Sequence, residues 1–276
     1  MFRWDGGFIM VKSDKFEEGV QWYQEVLGWK CVDQVTSWIG RKAFMKLPRF
    51  GMVTLKSFDG DYEHLKSLSK EGNVTLGFTT FDMENTIDYL NSKQVESSNI
   101  HTLPNGQKYC DIIAFDHTKL RVIEEGLGAD DEKKEYPAAG VHGFGKVNSI
   151  IQVNDPVKSA SWYEKHLGFE TVEVDAVKGY ALMRTEDAYD RNALNECFWD
   201  HIWLLKTDEK IEAPNDNKAR TYYDIRPDVF FEEYNKLIKS GIKPSEIAGD
   251  PIKGWGGFHF YDPDNNRINV WSYIMN

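Results

Sequence analysis

No stretch of this sequence approaches the roughly eighteen consecutive apolar residues of a membrane-spanning helix. The opening residues, MFRWDGGFIMVKSD, contain no long apolar segment followed by a small-residue cleavage site, so no secretory leader is expected. Cysteine is scarce: Cys31, Cys110 and Cys197 are far apart, odd in number and never spaced as CxxC. That argues against a disulfide framework or a cysteine-rich zinc site and suits small buried side chains in a reducing cytosol. Positive charge is also in deficit, with 33 Lys and Arg against 44 Asp and Glu and a formal charge of -11. A chain that neutralises phosphates needs a basic surface, so neither nucleic acid nor an anionic membrane is an expected partner. The GxSxG elbow, P-loop, GxGxxG turn and HExxH pair are all missing. Aromatic residues are plentiful, at 14% with nine tryptophans. Such residues fill cores and line concave pockets for flat or apolar ligands.

The chain repeats itself. WYQEVLGW at 22–29 returns as WYEKHLGF at 162–169, an offset of 140 residues (162 against 22), close to half of the 276. Each half opens on a short apolar strand, GFIMV (7–11) or NSIIQV (148–153), followed by a polar turn and a helix. In the second half Asp155 is placed as N-cap and Pro156 at the first helical position. Gly28 and Gly168 stand where a helix end wants positive φ. Strand candidates follow: WKCVDQV, KAFMKL and MVTLKS in the first half; ETVEV, YALMR and HIWLLK in the second.

A second strand–helix–strands unit then appears in each half. NVTLGFTTF (73–81) precedes a helix with Met83, Ile87 and Leu90 on one face. RTYYDI (220–225) precedes one with Phe230, Tyr234, Leu237 and Ile238 on one face and Gly241 at its close. GLGADDEKKEYPAAG (126–140) mixes charge, Gly and Pro as a linker does. The expected class is α+β, with four βαβββ modules paired into two cup-shaped mixed-sheet domains. The expected domains are 1–127 and 143–276, joined by a linker at 128–142.

WYEKHLGF near the start of the second half and FYDPDNNRINVW (260–271) near its end carry a resemblance. Together they resemble the vicinal-oxygen-chelate superfamily, which groups glyoxalase I, extradiol dioxygenases, fosfomycin-resistance enzymes and bleomycin-resistance proteins. Asn265 takes the glycine position of the family's Asp-Pro-Asp-Gly-Asn turn, and Asn accepts a left-handed backbone better than most residues. The first half carries only FDHTKL (115–120), a shortened turn without proline.

In the enzymes of that family, His or Glu from the first, fifth and eighth strands of a domain hold a divalent metal that chelates substrate oxygens. Carried over to the second half, those positions are Asn148, Thr221 or Arg220, and Asn269. In the first half they are Phe8, Thr75, and Arg121 or Val122. Amides, Thr and Arg leave a divalent charge uncompensated, so no metal cofactor is expected.

His259, in GFHFYD, stands where extradiol members carry a cavity-facing tyrosine acid/base, and it is the candidate proton shuttle. His201 opens HIWLLK and shares a face with Trp203. Trp271 shares a strand face with Asn269, and Trp255 opens the preceding strand. With Tyr222 or Tyr223, Asn148 and Gln152 these residues make an expected aromatic cup with amide corners. TEDAYDRNALNECFWD (185–200) is a long loop where the first half has only PRFG, as a rim or lid would be. The expected function is a metal-free small-molecule-binding protein of the bleomycin-resistance type, with an aromatic or cationic organic ligand in the C-terminal cup. The alternative is a lyase or dioxygenase-like enzyme using His259, or a divalent metal at unorthodox positions. A cytoplasmic location is expected, and a homo-oligomer is compatible with the sequence.

Overall fold

The computed structural model describes residues 2–37, 40–49, 51–57, 73–125, 137–185, 201–209 and 218–273. In chain order the first half gives β1 (Arg3–Met10), α1 (Phe16–Leu27), β2 (Lys30–Ser37), β3 (Gly40–Lys46) and β4 (Met52–Ser57). It continues with β5 (Val74–Thr80), α2 (Met83–Ser92), β6 (Glu96–Ser97), β7 (His101–Thr102), β8 (Lys108–Ala114) and β9 (Thr118–Glu124). The second half gives β10 (Gly143–Val153), α3 (Pro156–Leu167), β11 (Glu170–Asp175), β12 (Tyr180–Arg184) and β13 (His201–Lys206). It closes with β14 (Ala219–Ile225), α4 (Phe230–Lys239), β15 (Ala248–Asp250), β16 (Trp255–Tyr261) and β17 (Arg267–Tyr273). The strands lie in two mixed sheets, and the fold is α+β.

The chain divides into two compact units. One holds Gly7–Glu71 and Thr75–Gly145; the other holds Met1–Gly6, Gly72–Val74 and Lys146–Asn276. In the first, the strand orders are β1-β4-β3-β2 and β5-β9-β8-β6. Its core stacks Trp29 between Tyr23, at 5.0 Å, and Phe78, at 5.1 Å.

The unit that holds the C-terminal half also has two rows of strands, β11-β12-β13-β10 and β15-β16-β17-β14. The two modules of this half therefore do not pair with each other. Beyond β14 the neighbour is β1, whose Arg3–Gly6 belong to this unit; beyond β10 it is β5, through Val74.

α3 lies between the rows. It packs on β11, β12 and β13, where Ala181, Met183, Ile202 and Leu204 are fully buried. Its aromatic residues reach the other row, with Trp162 6.4 Å from Phe260 and Tyr163 stacked on Phe169, which packs on Tyr223. α4 covers the same face of that row, setting Phe230 and Tyr234 against Phe258. Side chains alternate along a strand, so the opposite faces of the two rows look away from each other, and among the described residues of this unit they carry no helix. On α4, Phe230 and Leu237 are buried as expected. Ile238 is 48% exposed, because the helix rests on its sheet along a narrow stripe.

Candidate functional site

The stretches WYEKHLGF and FYDPDNNRINVW are held together by one clasp. Asp155 caps α3 by accepting from the backbone of Val157 (3.1 Å) and Lys158 (3.2 Å), and Gly168 ends it at φ 72. Buried Tyr163 then donates to Asp262 Oδ2 at 2.9 Å. Asp262 also receives the backbone N–H of Asp264 (2.9 Å), the backbone N–H of Asn266 (2.8 Å) and Asn266 Nδ2 (2.9 Å). Burial pushes the Asp262 carboxyl up to about 6 in spite of these donors. Asp264 accepts from Asn154 N (3.1 Å) and Ser159 Oγ (2.9 Å), and Asn265 turns the chain at φ 62, as its residue type allows. The clasp ties α3 to the β16–β17 turn, so its role is structural. In the first half the shortened turn works differently: Asp116, at φ 52, faces Lys12 (3.5 Å) and Lys15 (3.7 Å).

The helix-free face of the β14–β17 row collects most of the chemistry. Tyr222 pairs with Asn269 and Asp224 with Trp271 across β14 and β17. His259 pairs with Asn269, Gly257 with Trp271, Tyr261 with Arg267 and Trp255 with Tyr273 across β16 and β17. By alternation Arg220, Tyr222, Asp224, Trp255, His259, Arg267, Asn269 and Trp271 share this face. Trp271 lies against β16 at Gly257, where an added Cβ would stand 2.5 Å from the indole and 2.3 Å from the Val270 carbonyl oxygen. Trp255 is 53% exposed at the edge.

The N-terminal end of β1 completes the face. Arg3 Nε donates to Asp224 Oδ1 at 3.1 Å, and its Nη2 to Oδ2, a forked pair on a nearly buried carboxylate. Asp5, two residues on, follows Arg3 on the same side. Burial, reinforced by the Asp224 charge and only partly opposed by Arg3, pushes its carboxyl up to about 7. Arg3 and Asp5 escape the strand pattern in the sequence because the Gly6-Gly7 pair interrupts it and Gly6 sits at φ 105. The alternation of Phe2 and Trp4 with Arg3 and Asp5 is the signal that points to them.

The expected cup is split. Tyr222, Trp255, His259, Asn269 and Trp271 share the face just described. Gln152, His201 and Trp203 lie on β10 and β13 in the other row, on the face turned away from α3. They and the first group look outward on opposite sides of the helix layer, so they line no common site. Asn148 falls on a bulge where the β10–β13 register shifts; it is fully buried and accepts from Ser149 Oγ at 2.7 Å. Trp203 is buried edge-to-face on Tyr180 at 5.1 Å. The long loop at 185–200 lies outside the described residues from 186 onward.

The family's metal does not fit the donors present. Asn269 is committed at both ends of its amide: Nδ2 donates to Thr221 O at 3.0 Å and Oδ1 accepts from Arg267 Nε at 3.0 Å. A guanidinium at that amide opposes a divalent cation. In the first-half unit Arg121 is forked onto Asp111 at 2.6 and 2.9 Å and lies over Tyr109, while Lys56 lies 4.1 Å over the Phe8 ring. Two of the three carried-over positions there, Phe8 and Arg121, are occupied by cation–aromatic packing. Among the described residues no group of three or more His, Cys, Asp or Glu is placed to hold a metal.

Residues 143–270 match the model of the Glyoxalase/Bleomycin resistance protein/Dioxygenase superfamily. That match covers the C-terminal half alone, and it is this superfamily, also called vicinal-oxygen-chelate, that the two motifs resemble. The fold is shared along the whole length with glyoxalase I from Zea mays, at 14% identity over 99% of this chain and 92% of that one, TM-score 0.62. A Bacillus subtilis protein is similar at 13% identity over 98% of this chain and 86% of that one, TM-score 0.62. At these identities the likeness is one of fold. No curated protein matches. Among the described residues no helix is long and apolar enough to cross a membrane.

Proposed function

We propose that this protein binds a small organic ligand, without a metal, on the helix-free face of the β14–β17 row. The observation that carries this is Asn269. The family's ligand position holds an amide whose two polar atoms are already engaged by Thr221 and Arg267. Around it stand Tyr222, His259 and Trp271, an aromatic surface with polar corners suited to stacking. Saturable quenching of tryptophan fluorescence in chelator-treated protein is the test. Trp271→Ala should weaken binding about tenfold, in keeping with roughly 1–2 kcal/mol for an aromatic contact. Unchanged affinity in that variant removes the face from consideration.

A catalytic role is the alternative, and the position of His259 directly across from Asn269 favours it. An imidazole there can relay a proton to a ligand held on the same face. Unchanged turnover of a discovered substrate by His259→Gln would eliminate this role.

A further inference from the structure

Asp5 sets one corner of the ligand face apart. Its carboxyl is half-buried and accepts no hydrogen bond among the described residues. A carboxylate removed from water without a donor is costly, and a folded chain normally pairs it. The neighbouring acid, Asp224, is already committed to Arg3 through the forked pair, which leaves Asp5 only the partial opposition of the Arg3 charge.

The other ionisable groups of the face are accounted for. Arg220 stands near the start of β14 and Arg267 at the start of β17, whereas Asp224 and Trp271 pair toward the far end of those strands. His259 pairs with Asn269 midway along β17. The electrostatic neighbours that act on Asp5 are Asp224 and Arg3. Trp271 is the cross-strand partner of Asp224, and its indole lies over β16 at Gly257.

We infer that the ligand of this face carries a positively charged nitrogen, an amine that pairs with Asp5 while its apolar part lies on Trp271. The inference rests on the proposed binding face and names the chemistry of its occupant. An ammonium supplies the donor that Asp5 lacks. Binding is coupled to protons, since the amine needs ionised Asp5. With a carboxyl that titrates at about 7, affinity climbs roughly tenfold between about pH 6 and about pH 8, and a proton is released at the lower pH.

The test is calorimetric titration of the full chain with phenethylamine and with neutral N-acetylphenethylamine. The wild type should prefer the amine by about tenfold or more, and Asp5→Asn should bring the two within about twofold. The amine affinity should show the pH rise in the wild type and lose it in Asp5→Asn. Equal affinity for both probes, or a preference that survives Asp5→Asn, overturns the ammonium. If both probes bind equally and Trp271→Ala weakens both, the face stands and only the ammonium falls. If Trp271→Ala weakens neither, the face itself is wrong. No binding of the amine at about 10 mM overturns the inference, because even a fragment with one ion pair and one stacked ring reaches millimolar affinity.

Discussion

Replacing Tyr163 with phenylalanine isolates the energy of the clasp between the two motif stretches. The ring keeps its stacking on Phe169 at 5.7 Å, and only the hydroxyl and its 2.9 Å bond to Asp262 are lost. Asp262 titrates at about 6, so at about pH 7.5 the acceptor is mostly charged. A buried hydrogen bond to a charged group contributes about 1.5–3 kcal/mol, and that is the expected loss for Tyr163→Phe. Asp262→Ala strips the acceptor from Tyr163, from Asn266 Nδ2 and from two backbone N–H groups. It should cost more, about 3–5 kcal/mol. The double variant should cost little more than Asp262→Ala alone, because the hydroxyl has no acceptor left to lose. Urea unfolding followed by circular dichroism measures all three. The chain forms two units, so the transition that moves belongs to the unit with the clasp. A shift below about 0.5 kcal/mol for Tyr163→Phe at neutral pH, or full additivity in the double variant, would refute the coupling.

Gly257→Ala places a Cβ 2.5 Å from the Trp271 ring and 2.3 Å from a backbone oxygen. It should cost about 1–3 kcal/mol of stability and weaken ligand binding with it, measurable by urea midpoint and fluorescence titration. Arg3→Met leaves the buried Asp224 carboxylate without its forked partner. It should destabilise by about 3–5 kcal/mol, read as a fall in urea midpoint. Asp5 titrates at about 7 when folded against 3.8 as a free side chain, so the native state holds a proton that the unfolded chain gives up. Its ionisation therefore costs stability as pH rises between those values, and Asp5→Asn should gain on the wild type across that interval and hold the gain above it. A stability difference that stays flat from about pH 4 to about pH 8 would show that Asp5 titrates normally.

Much of this architecture is written locally in the chain. Asp155, Pro156 and Gly168 announce the ends of α3, because capping and positive φ are demands of a few adjacent residues. Asn265 in the turn is legible in the same way, because its residue type tolerates the positive φ it adopts. Which row of strands joins which is not. Apolar alternation on β10 and on β14 is satisfied equally well by either neighbour, and strand pairing is decided far along the chain. For that reason Asn148 and Gln152 were grouped with Asn269 and Trp271, although α3 separates their faces. Arg3 and Asp5 were lost to a glycine interruption that makes the strand look four residues shorter than it is.

The forked bond between Arg3 and Asp224 spans 221 positions of sequence. During synthesis Arg3 leaves the ribosome long before the strand it must join exists. The C-terminal module can thread its own strands as it emerges, but its charged rim depends on a residue made 221 positions earlier. Long-range closures of this kind slow folding, since the entropy of a large loop is lost before the contact rewards it. Removal of Arg3 would thus be felt first 221 positions away, at Asp224, in the face proposed to hold the ligand.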